Sequence, residues 1–209
     1  MNNKETIIFY NKIVNDYYCQ NKENKTIEKQ RDFFCSLLSG KNILDAGSGF
    51  GRDTFYFDSV GMNTLGIDAS IEMLKKAKEL YPSSSFKNMN LLSRDLRDLP
   101  KYDGIWCCAS LVHFEPQELR KVIEDLLYIL NENGVLYCSI KTDLKMYSYL
   151  EGQRWFQVYT KEYLDGLFSE FGLEVILYEE NISPKGQVFS SYFLKNKYWH
   201  LKDLNVLCL

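Results

Sequence analysis

The chain has 209 residues, 45% of them hydrophobic and 15% aromatic, which suits one folded domain with a sizeable core and excludes a disordered chain. Its 25 basic and 28 acidic side chains leave a formal net charge of −3 with no long basic run, so the composition argues against a nucleic-acid or anionic-membrane partner. The opening MNNKETIIFY lacks the order of a signal peptide, and no apolar stretch reaches the ~20 residues of a membrane span, so a cytoplasmic protein is expected.

The amino-terminal segment, residues 1–40, reads as a helical packing or lid segment. Asn42 to Ala46 (NILDA) is the first buried strand, followed by a Gly-rich turn and a helix from about Arg52. Asn63 to Ile67 is the next strand. Ser70 then caps a helix whose Ile71, Leu74, Ala77 and Leu80 are expected to face inward. Ser84 to Met89 and the wholly apolar Gly104 to Ala109 are the third and fourth strands. Glu115-Pro116 opens a strongly amphipathic helix carrying Leu119, Val122, Ile123, Leu126, Leu127 and Leu130. Asn131 to Gly134 is a turn before a fifth strand, Val135 to Ile140. Thr160 caps a last helix with Leu164, Leu167, Phe168 and Phe171 inward and Gly172 as its stop.

Leu173 to Glu179 and Val188 to Leu194 follow as two strands joined only by a loop through Ser183-Pro184-Lys185-Gly186. Strands apolar on both faces and separated by helices mean a parallel sheet covered on both sides. Two final strands without a helix between them add an antiparallel hairpin. The expected fold is a Rossmann-like three-layer α/β sandwich with a seven-stranded, mostly parallel sheet. The cysteines (Cys19, Cys35, Cys107, Cys108, Cys138, Cys208) form no CxxC pair, and the only histidines are His113 and His200. Reduced thiols and no metal site are the expectation.

The segment Leu44-Asp45-Ala46-Gly47-Ser48-Gly49-Phe50-Gly51-Arg52-Asp53 sets G-x-G-x-G between a buried strand and a helix. Asp68 ends the second strand, where an acid can accept hydrogen bonds from both ribose hydroxyls. The ordered set of strand, glycines, helix, strand and acid is far more specific than a Gly-rich turn alone. A dinucleotide site usually has its third glycine one residue later, where this chain has Arg52, and Asp45 suits a ligand bearing an ammonium group better than a pyrophosphate.

This motif, Gly66-Ile67-Asp68-Ala69-Ser70 and Tyr102-Asp103-Gly104-Ile105-Trp106 resemble successive motifs of the class I S-adenosylmethionine-dependent methyltransferases. Ala109-Ser110-Leu111-Val112-His113, Gly134-Val135-Leu136-Tyr137 and Arg154-Trp155-Phe156 extend the likeness to small bacterial members of largely unassigned substrate, over about residues 7–195. The resemblance implies S-adenosyl-L-methionine as cofactor and S-adenosyl-L-homocysteine as product. It implies that Gly47, Gly49 and Gly51 wrap the methionine moiety, with Asp45 near its ammonium group. Asp68 would hold the ribose, and Ala69 and Met73 would flank the adenine, although Met73 suits a core position equally. Asn90, followed by Leu91, stands where the family usually has an acid for the adenine amino group; Asp95 is the alternative.

Methyl transfer from a sulfonium needs positioning more than covalent catalysis. On the acceptor side, His113 is the candidate catalytic residue, as a base or an orienting group; a packing histidine is the competing reading. Of Tyr10, Tyr17 and Tyr18, two are expected to dock the amino-terminal segment and one to touch ligand. Tyr18 and Arg154 are the candidate substrate-binding residues, and Arg154 reads equally as a solvated side chain. The function expected is methylation of a small-molecule acceptor at O, N or S by a monomer or homodimer. One methyltransferase domain would span 1–209, with a cofactor-binding half at 41–140 and an acceptor-side half at 141–209. The alternatives are an RNA methyltransferase of the wobble-uridine type and a non-catalytic S-adenosylmethionine-binding module.

Overall fold

The structure, a computed structural model, describes residues 3–22, 27–182 and 186–196. His200, Cys208 and residues 183–185 of the expected loop lie outside them. Three helices, α1 (Asn3–Lys12), α2 (Val14–Asn21) and α3 (Glu28–Leu37), precede an alternation of strands and helices. It runs β1 (Asn42–Ala46), α4 (Arg52–Ser59), β2 (Asn63–Asp68), α5 (Ile71–Leu80), β3 (Ser85–Asn88), β4 (Tyr102–Cys108), α6 (Pro116–Tyr128) and β5 (Leu130–Thr142). A small hairpin, β6 (Tyr147–Glu151) and β7 (Arg154–Val158), comes before α7 (Lys161–Glu170), β8 (Leu173–Ile182) and β9 (Val188–Asn196).

The main sheet has seven strands in the order β3-β2-β1-β4-β5-β9-β8. β1 to β5 pair in parallel, whereas β9 runs antiparallel between β5 and β8. The expected fold class is therefore borne out. Period-two alternation sends neighbouring side chains to opposite faces. Ile43, Trp106, Tyr137 and Phe193 pack under Phe34 of α3 and Phe57 of α4. Leu44, Ile105, Leu136 and Leu194 pack under Val122 and Leu126 of α6 and Leu164 and Phe168 of α7. Both faces are thus sealed, which is why these strands are apolar throughout.

The helix caps follow the sequence. Ser70 Oγ accepts from Met73 N at 3.2 Å, Thr160 Oγ1 from Tyr163 N at 3.2 Å, and Glu115 and Glu118 form a reciprocal capping box around Pro116. Three local expectations differ. Ile71 is 44% exposed, because it stands at the first position of α5 and Met73 turns inward in its place. Asn131 to Gly134 belongs to β5: the pairing steps from Tyr102↔Leu130 to Gly104↔Val135, and Asn131 Nδ2 pins the irregularity to Asp103 Oδ1 at 2.8 Å. Leu130 accordingly sits in β5, beyond the end of α6. The β6–β7 hairpin was not foreseen from the sequence; its two-residue connection puts Gly152 at φ +66°, the conformation such tight turns favour.

Candidate functional site

The strand order reverses between β1 and β4, and a cavity of about 110 Å³ opens at the carboxyl ends of the strands around that point. Gly47 and Gly49 follow β1, Asp68 ends β2 with Ala69 and Ser70 beyond it, Met89 to Leu91 follow β3, and Cys108 ends β4 with Ala109 and Ser110 beyond it; all line it. Met73 of α5 and His113 and Phe114 complete the walls. Thr6, Ile7 and Tyr10 of α1 and Tyr17 of α2 form a roof.

The turn after β1 spends its own donors. Gly47 N and Ser48 N both donate to Ile67 O (2.8 and 2.9 Å), Gly49 N donates to Asp68 Oδ2 (2.9 Å) and Gly51 N to Ser48 O (2.9 Å). Gly49 has φ +54°, and a Cβ there would meet nothing within 4 Å, so its bare backbone faces open space. Gly51 acts elsewhere. At φ +84° it begins α4, and a Cβ would strike the Phe86 ring at 2.5 Å. It is absent from the cavity wall, so its glycine serves the close packing of α4 against β3.

Asp68 accepts from Ser70 N at 2.7 Å as well as from Gly49 N, one bond on each oxygen, which leaves lone pairs on both. Burial raises its pKa, and the two backbone donors oppose the rise. Asn90 Oδ1 accepts from Leu92 N at 2.9 Å and keeps a second lone pair, with its Nδ2 still a donor. Asp95, the alternative, is exposed on a short 3₁₀ turn away from the cavity. Met73 is 1% exposed yet lines the cavity, so it is both core and wall.

Asp45 does not line the cavity. It is buried behind the turn, where Thr54 Oγ1 donates to its Oδ2 at 2.7 Å. Burial, and then the neighbouring Asp53 charge, push its pKa up to about 8. Asp53 itself gathers Arg31 Nη1 (3.2 Å), Arg52 Nε (2.9 Å) and Trp106 Nε1 (3.0 Å). This buried charge cluster escaped the sequence reading; an acid in the first turn of a helix was its only visible signal.

On the other wall, His113 closes a short 3₁₀ turn, Leu111–His113, after β4. Its Nδ1 is 2.6 Å from Trp155 O and its Nε2 is 3.1 Å from Tyr10 Oη. Burial, aided by the charges of Arg154 and Lys141, pushes its pKa down to about 4 against the opposing Trp155 hydrogen bond, so the imidazole is neutral near pH 7. The neutral ring is the form that can accept a proton, and its lowered pKa makes it a weak base. Ala109, just upstream, holds the left-handed conformation at φ +54°, the only described residue other than glycine to do so.

Among the tyrosines, Tyr10 and Tyr17 reach the cavity. Tyr18, one residue on and about 100° round α2, packs edge-on to Phe50 at 5.3 Å beneath Lys76. Arg154 lies behind the wall, ion-paired to Glu151 at 2.8 Å and stacked near Phe9, Tyr10 and Phe156. Thus Gly47, Gly49, Asp68, Ala69, Met73, Asn90, Leu91 and His113 come together at one cavity, and Asp45, Gly51, Tyr18 and Arg154 do not line it. No group of three or more His, Cys, Asp or Glu among the described residues is arranged to hold a metal ion, and no described helix is long and apolar enough to cross a membrane.

Residues 43–134 match the family model described as a methyltransferase domain. A putative methyltransferase of Bacillus subtilis, YqeM, is 26% identical over 117 residues, covering 53% of this chain and 47% of the relative. The chain thus spans about half the length of the curated relatives it matches. Among solved structures, the 1,6-didemethyltoxoflavin-N1-methyltransferase of Burkholderia thailandensis, with 1,6-didemethyltoxoflavin and S-adenosylhomocysteine bound, superimposes with a TM-score of 0.77. It is 18% identical, over 92% of this chain and 88% of that one. An S-adenosylmethionine-dependent methyltransferase of Clostridium acetobutylicum gives a TM-score of 0.69 at 18% identity, over 90% and 98% of the two chains.

Proposed function

We propose that this chain, which has the class I S-adenosylmethionine-dependent methyltransferase fold and carries that family's domain, transfers a methyl group from S-adenosylmethionine to a small-molecule acceptor. The observation that carries the reading is the state of the turn after β1. A pyrophosphate draws on free backbone N–H groups at such a turn, and four of them here, on Gly47, Ser48, Gly49 and Gly51, are committed inside the protein, which leaves fewer donors for a phosphate and favours a ligand without one at that point. What the turn offers instead is bare, close backbone at Gly49, suited to an aliphatic chain, beside a carboxylate at Asp68 with lone pairs to spare for ribose hydroxyls.

In this reading Asp68 holds the ribose, Asn90 and Leu91 meet the adenine edge, and Met73 and Ala69 flank its ring. When bound, the cofactor supplies an electrophilic methyl on a positively charged sulfur. The protein's own contribution is positional: α1 and α2 roof the site against water, and the wall at His113 and Phe114 presents the acceptor. Residues 41–140 would then form the cofactor half, and those that follow would contribute to the acceptor side. The net charge of −3 favours a small acceptor over RNA. The bound 1,6-didemethyltoxoflavin of the Burkholderia enzyme supports the same choice.

Calorimetry tests the reading directly. S-adenosylhomocysteine should bind with NAD showing no heat; NAD binding without a response to the sulfur nucleoside would reverse the assignment.

A further inference from the structure

The hydrogen bonds around His113 fix where its proton lies. The Trp155 carbonyl oxygen, 2.6 Å from Nδ1, can only accept, so Nδ1 carries the hydrogen and Nε2 the lone pair. Tyr10 Oη, 3.1 Å from Nε2, must then be the donor of that bond. A hydroxyl has one hydrogen and two lone pairs. With its hydrogen turned into His113 and Arg154 donating to it from behind the wall, the Tyr10 oxygen has one lone pair left for anything else in the cavity that Tyr10 and His113 line.

The arrangement is held from several sides. Phe156 packs against the imidazole at 4.8 Å, and Tyr17 packs edge-on to the Tyr10 ring at 5.5 Å. Trp155 N donates to Thr6 Oγ1 at 3.0 Å, tying β7, which carries the carbonyl, to α1, which carries Tyr10. The reverse polarity, with a protonated imidazole donating to Tyr10, is disfavoured near neutral pH by burial and by the charges of Arg154 and Lys141.

We propose that the Tyr10 oxygen is the hydrogen-bond receptor for the methyl acceptor, so that the site selects acceptors presenting an O–H or N–H group and rejects those offering only lone pairs at that point. The proposal rests on the methyltransferase reading. An ether, a tertiary amine or a carboxylate would set lone pairs against lone pairs there. His113 is then a positioning residue: it sets the polarity of Tyr10 and touches the acceptor through it. This makes the amino-terminal helix a determinant of acceptor choice, a role that neither the Gly-rich turn nor Asp68 can fill.

The test uses the full chain saturated with S-adenosylhomocysteine, titrated with phenol and with anisole, two rings of similar size that differ in that hydrogen. Phenol should bind on the order of tenfold or more tightly than anisole and shift the His113 Nε2 nitrogen resonance. Tyr10→Phe, which keeps the ring, should bring the two within about twofold of each other. His113→Leu frees the Tyr10 hydrogen and should raise anisole affinity towards that of phenol. Equal binding of the two probes by the unaltered protein, binding of neither, or a His113 signal showing Nε2–H would overturn the proposal while the cofactor assignment stands. Absence of S-adenosylhomocysteine binding would overturn both.

Discussion

Trp106 Nε1 donates to Asp53 Oδ2 at 3.0 Å, joining the centre of β4 to the first turn of α4 across a fully buried interface. Burial alone would raise the Asp53 carboxyl; the Arg52 charge and hydrogen bonds, with those of Arg31 and Trp106, overcome it and hold the group below its usual range. Arg31 is itself only 5% exposed, so it depends on this carboxylate.

Replacing Asp53 by Ala strands that guanidinium and the indole N–H. The expected loss is about 3–5 kcal/mol of folding stability, the usual penalty for breaking a buried ion pair from one side. Urea unfolding monitored by tryptophan fluorescence measures it, and a loss under about 1 kcal/mol would show that the cluster is dispensable.

Asp45 gives the fold a pH dependence of definite sign. Its folded pKa of about 8 lies above the unfolded value of about 3.9, so the folded state favours the protonated acid. The stability it contributes is complete below about pH 4 and drains away as the pH rises to about 8. Asp45→Asn keeps the acceptor for Thr54 and never ionises. Its melting temperature should therefore gain steadily on the unaltered protein between pH 4 and pH 8; parallel curves would refute the assignment of that shift to Asp45.

His113 acts in the opposite direction. Its folded pKa of about 4 lies below the ordinary value of about 6.5, so the fold favours the neutral ring. That contribution is whole above pH 6.5 and is lost as the pH falls towards 4. His113→Gln should thus be least stable relative to the unaltered protein above pH 7, with the gap closing in acid. A gap independent of pH would mean that the imidazole titrates normally.

Asp68→Ala should weaken S-adenosylhomocysteine binding by ~1.5–3 kcal/mol, the cost of removing charge-assisted hydrogen bonds. Calorimetry at one salt concentration is sufficient. The same change also frees Gly49 N and Ser70 N, so a melting curve on the apo protein separates loss of the ligand contact from loosening of the turn.

Ala109 predicts an unusual glycine response. A non-glycine residue in the left-handed region stores about 1–2 kcal/mol of strain, which a glycine releases while losing chain entropy on folding. Ala109→Gly should leave stability unchanged or higher by up to about 1 kcal/mol. Ala77→Gly, inside α5 and fully buried, should lose about 1 kcal/mol or more. Equal losses at the two sites would mean that the φ of +54° stores no strain.

Much of this architecture was legible in the sequence because apolar period and turn chemistry are local. NILDA, GIWCCA and the Leu119–Leu126 stripe announce strand, strand and helix without reference to anything distant, and Asp68 follows from a strand end, whereas Asn90 is marked by the family resemblance alone. The pieces that escaped are those fixed by partners far away in the chain. Asp53 looked like an ordinary first-turn acid until Arg31 and Trp106 surrounded it. Asp45 looked like a ligand residue, but Thr54 claims it from α4. Tyr10 was indistinguishable from Tyr17 and Tyr18 until His113, 103 positions later, took its hydrogen. The β6–β7 hairpin was masked because its strands are short and half exposed, so neither shows a clean alternation.

The roof helix α1 is fastened at both ends. Thr6 receives Trp155 N, and Asn11 Oδ1 receives both the Ser70 hydroxyl at 2.7 Å and Glu72 N at 3.3 Å, so one helix spans the two sides of the cavity. The space beneath it, about 110 Å³, is well short of the 300–1,000 Å³ of a typical small-molecule site. A nucleoside that needs more than this space would enter as α1 releases, and its measured affinity would then be the intrinsic one scaled by the fraction of molecules already open. Were that fraction roughly one in a hundred, observed binding would be about a hundredfold weaker than the pocket itself allows. Substitutions at Asn11, which fastens the helix without lining the pocket, would then appear as changes in how often the door stands ajar, and would tighten binding while lowering stability.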